Sequence, residues 1–409
     1  MANIILTRAA SDFSTNREKL DFAEGIALLD PNENPFTLMT MKYKKKTSGN
    51  IKHSWLYDEL VPESDTSDTA ATACVTAGTT LYVDNYTYFS AGDIVRIVAT
   101  NETVLVTAST STGALTIVRD YGATSGAYTA LAATVADGGG LQIIGNAFES
   151  GHALPVEKST KEVQLDNYCQ DQRTPFGITE VAAAAAVRGE DDWPFQMRKS
   201  AITHQRKIEL QNLWGHPMPG DKGLSSSGTG NSDPATGGGL WHYLTGGTGF
   251  TGTGSDRLVS QAEITQAEFE SFIEASFEFG SAQKVMFCAP KLRSALDSWG
   301  ISKLQTFSEK NVFGMNVAKW VSAHGTIIFV THKMLKAVGS EGAYNFLVDM
   351  NDLSWITYSN IGSTRLRQLD PYKATGKTIK QAEWQTISCL ELRVPKKHSC
   401  LYGVTSYAA

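Results

Sequence analysis

Ser54–Leu60, SWLYDEL, and Lys161–Cys169, KEVQLDNYC, read as the two extended arms of one hairpin, and the stretch between them has a different character. It is rich in Thr, Ala, Gly and Val and keeps a strand rhythm of its own: Leu81 and Val83, Val95 and Ile97, Val104 and Val106, Leu115 and Ile117. Breaks fall at Ala91-Gly92-Asp93, Asn101-Glu102 and Ser111-Thr112-Gly113. Strands of about four to six residues thus recur at a spacing of roughly ten, the pattern of a small sandwich or barrel. Gly138-Gly139-Gly140 and Gly145 close the segment. We read residues 65–147 as a small all-β module inserted into a hairpin made of residues 51–64 and 148–178. An isolated two-stranded ribbon is barely stable in water until something packs on it, which suits a subunit that reaches across a neighbour better than an enzyme.

At 409 residues the chain exceeds the size at which one hydrophobic core stops growing, so two or more domains are expected. Hydrophobic residues make up 42% and charged residues 19%, with 36 glycines, a globular and loop-rich composition. The net charge of -6 is unevenly placed: residues 1–60 hold 8 basic against 8 acidic residues, residues 61–150 hold 2 against 9, and residues 151–409 hold 26 against 25. The inserted segment therefore carries the acidic excess. A surface that binds nucleic acid for affinity needs clustered Lys and Arg, and Lys42-Tyr43-Lys44-Lys45-Lys46 is the one cluster; it reads as a solvated turn or as a contact with an acidic partner surface.

Cys74, Cys169, Cys288, Cys389 and Cys400 are odd in number and lack C-x-x-C spacing, which fits synthesis in a reducing compartment and argues against a zinc site. The start, MANIILTRAASDF, has an apolar run of only Ile4, Ile5 and Leu6, and no run of about 18 apolar residues occurs anywhere, so neither a signal peptide nor a membrane span is expected.

Along the chain, a short helical pattern over Arg17–Leu29 ends at Asp30-Pro31-Asn32-Glu33-Asn34-Pro35, whose two prolines force an extended or turned path. Phe36-Thr37-Leu38-Met39 then offers apolar anchors, and the first fifty residues read as an arm with hooks. After the hairpin, Ala182–Ala186 favours helix, Gly189 interrupts it, and Asp191-Asp192-Trp193-Pro194 supplies a carboxylate cap candidate for a second helix to Trp214, ~30 Å long. Met197, Ala201, His204, Ile208 and Gln211 share its mixed face, suited to lying across a sheet. Gly220–Gly254, with Trp241-His242-Tyr243-Leu244 embedded, reads as a long surface loop.

Thr265 and Glu268 form a capping box ahead of Phe269, Phe272, Ile273 and Phe277, a helix ending at Gly280. Val285-Met286-Phe287 is a strand, Pro290–Trp299 a helix ended by Gly300, Thr326–Thr331 a buried strand and Tyr344–Val348 another. Residues 257–409 read as a separate domain of helices on a sheet, and the whole chain as α+β.

Catalytic motifs are missing. Ala374-Thr375-Gly376-Lys377-Thr378 resembles a phosphate loop, but Pro371 stands where the first glycine belongs. The glycines after Gly220 lack G-x-G-x-x-G and read as linker. The eight histidines show no H-E-x-x-H; His324 and His332 bracket the Ile327–Val330 strand, where a hydrogen-bonded strand-end role is the ordinary one and metal ligation the alternative. Glu190-Asp191-Asp192 suits capping better than a divalent cation. No G-x-S-x-G or placed carboxylate pair is found. No catalytic, cofactor-binding or metal residue is assigned, no cofactor is expected, and the chain does not read as an enzyme.

The pieces, in order, resemble the major capsid proteins of tailed bacteriophages. Gly25–Phe36 (GIALLDPNENPF) and Lys52–Leu60 (KHSWLYDEL) look like the N-terminal arm and first hairpin strand of that family; Phe89–Arg96 (FSAGDIVR) and Leu115–Arg119 (LTIVR) look like the β module found in one group of it; Asn167–Gln170 and Thr174–Phe176 resemble the return strand, and Glu383–His398 the C-terminal return. The resemblance implies a Hong Kong 97-like fold, with residues 1–50 as N-terminal arm, the hairpin as extended loop, residues 179–256 as peripheral domain with a spine helix and the Gly-rich loop, and residues 257–409 as axial domain returning to the peripheral one. The chain begins at the arm, without the long helical leader of many relatives.

The implied function is a structural one: hexamers and pentamers of this chain forming an icosahedral shell around double-stranded DNA, with Phe36, Leu38, Trp55 and Leu56 as anchors buried on neighbours. Implied partners are other copies of the chain, portal and scaffold or decoration proteins, and packaged DNA held by proximity and not by sequence; no membrane is involved, and the place of work is the virion after assembly in the host bacterial cytoplasm. A near-neutral to acidic balance fits, since a strongly basic lining would seize the DNA. The alternative is a virion accessory or adhesion protein in which Tyr82, Tyr86, Tyr88 and Phe89 present a sugar platform to a host glycan, although core and turn packing also accounts for those aromatics.

Overall fold

In the computed structural model, residues 34–68, 78–122, 135–152, 155, 157–184, 191–220, 234–246, 257–302, 308–312, 315–338, 342–369 and 379–408 are described. The Arg17–Leu29 helical pattern, most of the Gly-rich segment, Cys74 and Ala374–Thr378 lie outside them. Residues up to Tyr57 together with Gln164–Ala409 form one compact unit, and Asp58–Val163 a second.

The second unit is a six-stranded antiparallel sheet in the spatial order Ser64–Thr66, Gly140–Asn146, Asp93–Ile97, Glu102–Ser109, Ala114–Val118 and Thr80–Tyr82. Its two outer strands meet through a bridge between Ser67 and Val83, which rolls the sheet into a small barrel. The eight apolar residues picked out by alternation all point inward: Leu81, Val83, Val95, Ile97, Val104, Val106, Leu115 and Ile117 are each at most 2% exposed. Alternation works here because only one face of each strand meets the core. Phe89 joins that core and Tyr88 packs against it.

Two large sheets build most of the first unit. The seven-stranded sheet runs Leu258–Ser260, Ser399–Val404, Ala343–Val348, Gln283–Cys288, Thr326–Thr331, Met315–Val321, Ser308–Val312. Gln283–Cys288 and Thr326–Thr331 pair in parallel, which requires a crossover, and the helix Pro290–Ser302 lies on it; the helix continues past Gly300, where an end was expected. Thr265 and Glu268 make the reciprocal capping box at the start of Gln266–Ser276, whose Phe269, Phe272 and Ile273 are buried. Phe269 stacks on Trp320 with ring centroids 5.5 Å apart. Lys284, 1% exposed, donates from Nζ to the carbonyl oxygens of Ser276 (2.6 Å), Phe279 (2.9 Å) and Lys397 (2.6 Å), closing the end of that helix.

The five-stranded sheet centres on the long strand Ile379–Leu392. Gln170–Thr179 pairs antiparallel with it from Gln170↔Ser388 to Thr179↔Ile379, Leu353–Tyr358 pairs with its C-terminal half, Arg365–Leu369 with Gln381–Gln385, and Lys45–Ser48 adds in parallel to Leu353–Tyr358. The 23-residue helix Asp192–Trp214 lies across this sheet. His204 clamps it there: its Nδ1 is 3.0 Å from Thr174 Oγ1 and its Nε2 2.8 Å from Thr386 Oγ1, on the edge strand Gln170–Thr179 and the long strand it pairs with. Asp191 makes no side-chain cap bond, contrary to expectation; the acidic residue in the first turn is Asp192, favourably placed on the helix dipole.

Three other expectations are corrected. Pro35–Tyr43 is a helix with Pro in its first turn, and Phe36 is fully buried within its own chain, edge-on to Phe287 at 5.2 Å, so it is not an anchor awaiting a neighbour. Trp55 is likewise 7% exposed, whereas Leu38 (38%) and Leu56 (64%) stay uncovered. Leu240–Thr245, read as part of a surface loop, is a helix with Leu240, His242, Tyr243 and Leu244 buried, stopped by Gly246 at φ 65°. The lysine run is not a free turn: Lys42 lies in the last turn of the Pro35–Tyr43 helix, Lys44 caps it and Lys45 opens a strand.

Candidate functional site

The ribbon is a two-stranded sheet of Lys52–Tyr57 and Val163–Tyr168. Alternation decides which side of it is anchored: along Lys52–Tyr57, Trp55 and Tyr57 are buried and Leu56 is not; along Val163–Tyr168, Leu165 and Asn167 are buried. Across the pair, Lys52 and Asp166 form an ion pair at 2.7 Å. Burial pushes the Asp166 carboxyl up, but hydrogen bonds from Lys52, Ser54 and Gln164 outweigh it and hold the group below its ordinary range. The same bond to Asp166 raises Lys52. The pair is half in solvent, so its contribution is small.

The root of the ribbon is fixed by buried polar groups. Asn167, 0% exposed, donates from Nδ2 to the carbonyls of Leu390 (2.6 Å) and Gly238 (3.1 Å), while its Oδ1 accepts the Gly238 amide at 2.7 Å and the Tyr168 amide at 2.8 Å. All of its hydrogen-bonding capacity is used, which makes the join specific. Tyr243 donates to the Asp166 carbonyl at 2.9 Å and lies 5.8 Å from Trp55, ring to ring. Burial first, then the negative groups nearby, drives the Tyr243 phenol well above its ordinary value, so it stays a donor.

Glu391, 1% exposed, gathers three side chains: Lys46 Nζ at 2.8 Å, His53 Nε2 at 3.0 Å and Arg393 Nε at 2.7 Å. Burial alone would raise its carboxyl, yet hydrogen bonds from His53, Arg393 and Lys46 pull it down to about 2. The hub ties the first ribbon strand, the strand carrying Lys46 and the long C-terminal strand together. Lys46, singled out as part of a basic cluster, serves this internal joint.

The other residues weighed for chemistry fall elsewhere. His332 is a strand-end histidine, bonded at Nε2 to Glu209 (2.7 Å) and accepting the Met334 amide at Nδ1 (3.2 Å), while His324 is exposed. His216 and His242, 26 residues apart, meet at 3.3 Å between their Nδ1 atoms, a proximity that depends on the Leu240–Thr245 helix and that spacing rules could not reveal. Among the described residues no group of three or more His, Cys, Asp or Glu could hold a metal ion. Of the proposed sugar platform, Phe89 is buried at 3% and Tyr88 packs on the barrel core, leaving Tyr82 partly buried and Tyr86 at 36% exposed.

The geometry is that of a ribbon root tied down by buried polar groups. The model of the SU10 major capsid protein family matches residues 7–405. The chain belongs to that family. It is similar to the major capsid protein of Pseudomonas phage PaMx41, with 24% identity over 345 residues, 80% of this chain and 76% of that protein. Solved structures similar to it include the capsid of a native GTA particle (TM-score 0.48, 9% identity, 98% of this chain and 100% of that one) and the capsid of Myoviridae phage XM1 (TM-score 0.43, 10% identity, 98% and 100%). As an SU10-family major capsid protein, the chain is a structural component of a tailed-phage virion that associates with its own copies to form the shell. The accessory or adhesion reading is not favoured.

Proposed function

We propose that the ribbon reaches over a neighbouring subunit in an icosahedral shell of hexamers and pentamers with Hong Kong 97-like architecture. In this reading residues 1–50 are the N-terminal arm, residues 51–64 and 148–178 the extended loop, residues 65–147 an inserted module, residues 179–256 the peripheral domain with Asp192–Trp214 as spine helix, and residues 257–409 the axial domain. The observation that carries it is the contrast along one strand: Trp55 and Tyr57 are sunk into the chain's own core, while Leu56 between them is 64% exposed on the opposite face. A ribbon with one face committed to its own subunit and an apolar side chain on the other is built to be covered by a second copy. Many modest contacts of this kind, repeated around a closed shell, sum to high strength.

The acidic balance of residues 61–150 supports a role at the shell surface, away from packed DNA, and the DNA is held by enclosure, not by base contacts. Portal, scaffold and decoration proteins are the further partners, and assembly takes place in the bacterial cytoplasm. The test is deletion of residues 65–147 with the ribbon strands rejoined, followed by electron microscopy of the expressed product. Shells from the deleted chain assign the module to decoration and the ribbon to the joint; absence of shells from both the deleted and the full-length chain overturns the reading.

A further inference from the structure

Cys169 lies where the ribbon's return strand passes into Gln170–Thr179, and Cys389 lies on the long C-terminal strand. The register Gln170↔Ser388 continued by one residue sets them opposite each other. The Cys169 amide donates to the Ile51 carbonyl at 2.8 Å, on the side away from Cys389, so the two cysteines form a non-hydrogen-bonded antiparallel pair. In such pairs the α-carbons approach to about 4.5 Å, at the near end of the range that a cystine spans. The side chains already face one another: Sγ to Sγ is 3.3 Å, and both residues are 3% exposed. Around them stand Ile356, Tyr358 and Ile387, none of which competes for an oxidised sulfur. The other buried thiols are separate: Cys288 bonds the Val330 carbonyl, and burial pushes Cys400 up and out of the reactive range.

We propose that Cys169 and Cys389 are a disulfide-forming pair, closed by a peroxide, that latches the base of the ribbon to the C-terminal strand. The hydrogen bond between the two sulfurs lowers the Cys169 thiol and raises that of Cys389, and the balance has Cys169 oxidised first. The Cys169 thiolate attacks one oxygen of hydrogen peroxide, the O–O bond breaks, and the hydroxide that leaves takes up the thiol proton as water, giving a sulfenic acid. The Cys389 sulfur then attacks that sulfur, the S–O bond breaks, and the departing hydroxide takes the Cys389 proton as a second water. Two thiols and one peroxide give one disulfide and two waters, the sulfurs being oxidised and the peroxide oxygens reduced. A reducing cytoplasm leaves the latch open during synthesis, and release into an oxidising medium closes it. The inference rests on the geometry of the pair and not on the shell architecture proposed above.

The experiment is thiol mapping of the full-length protein. Purified protein is reduced, freed of reductant, exposed to hydrogen peroxide, denatured, alkylated and digested. The expected result is loss of two of the five thiols, recovery of a peptide joining Cys169 to Cys389, and a thermal midpoint raised by roughly 5–10 °C that a reductant reverses. Cys288→Ser should behave as wild type, and Cys169→Ser should keep its remaining thiols and show no shift. Five alkylated thiols after oxidation, a cross-link between other cysteines, Cys169 recovered as sulfinic acid beside a free Cys389, or a 169–389 cross-link without a rise in midpoint would each overturn the proposal. Because the decisive measurement is made on the wild-type chain, a variant that fails to fold does not remove the test.

Discussion

The Glu209 carboxylate and the His332 ring face each other at 2.7 Å with neither side chain exposed. Glu209 sits on the long helix, yet it caps a different one, accepting the Phe36 amide at 2.9 Å and the Thr37 amide at 2.8 Å at the start of Pro35–Tyr43. Asn212, one turn on, donates to Thr37 Oγ1 at 3.0 Å. One carboxylate thus joins the first described helix, the long helix and the end of a central strand. Glu209→Ala leaves two amides and a ring nitrogen without an acceptor in a dry site, and the expected loss is about 3–5 kcal/mol in urea unfolding. Glu209→Gln keeps an acceptor oxygen and should lose less than half as much.

Phe36 and Leu56 make a discriminating pair. Phe36→Ala removes a fully buried ring from the subunit's own core, and unfolding of the unassembled protein should become easier by about 3–5 kcal/mol. Leu56→Asp alters an exposed side chain, so subunit stability should change by less than about 0.5 kcal/mol while shell yield by electron microscopy falls steeply. Unimpaired shells from Leu56→Asp would remove that face of the ribbon from the intersubunit contact.

Acid should weaken the joint at Glu391. Its folded value of about 2 lies below the ordinary 4.5, so the stabilisation is present above about pH 4.5 and is lost as the pH falls toward 2. The difference corresponds to about 3 kcal/mol, and Glu391→Gln should abolish that part of the acid sensitivity while leaving Lys46, His53 and Arg393 without their anion. Urea midpoints for both proteins between pH 5 and pH 2.5 give the comparison.

A separate window belongs to three buried histidines. Burial, then the neighbouring Lys207, lowers His204 to about 4; burial, then His216, lowers His242 to about 4; burial, then Lys284, lowers His398 to about 3. Between those values and 6.5 the unfolded chain binds protons that the native chain refuses, so stability falls as the pH drops from 6.5. Near pH 5 unfolding should take up about three protons through these groups, and the step from pH 6 to pH 5 should cost about 3–4 kcal/mol. His204→Gln should reduce the uptake by about one proton.

Lys284 should tolerate no apolar substitute. Lys284→Met fills similar space but strips the Ser276, Phe279 and Lys397 carbonyls of their shared donor, and an unfolding loss of about 2–4 kcal/mol is expected from chemical denaturation.

Local features were legible in the sequence wherever one strand face or one helix end settles the matter. Leu81 to Ile117 announce the barrel because period-two burial has a single solution, and Thr265 with Glu268 announces a helix start because both bonds of the box are local. Thr326–Thr331 was legible as a run of apolar β-branched residues. The joints were not. Glu209 meets Phe36 across 173 positions and His332 across 123, and Cys169 meets Cys389 across 220, separations at which only the assembled sheet decides who faces whom. The Leu240–Thr245 helix was hidden for a related reason: its glycine-rich surroundings signal a loop, while tertiary burial of Tyr243 and Leu244 overrides propensity. The place of Phe36 is not legible in sequence because an apolar residue after two prolines looks the same whether its pocket lies on its own chain or on another.

The bridge between Ser67 and Val83 has a consequence for crowding. A phage-infected cell fills with copies of one polypeptide, and any sheet that ended in unpaired amides and carbonyls would offer every copy a template for stacking onto the next. Among the described residues the first and last strands of the acidic barrel are stitched together and withhold that border, and like-charged barrels repel one another besides. The barrel's outer strands are thereby spent on each other and not left for the next copy.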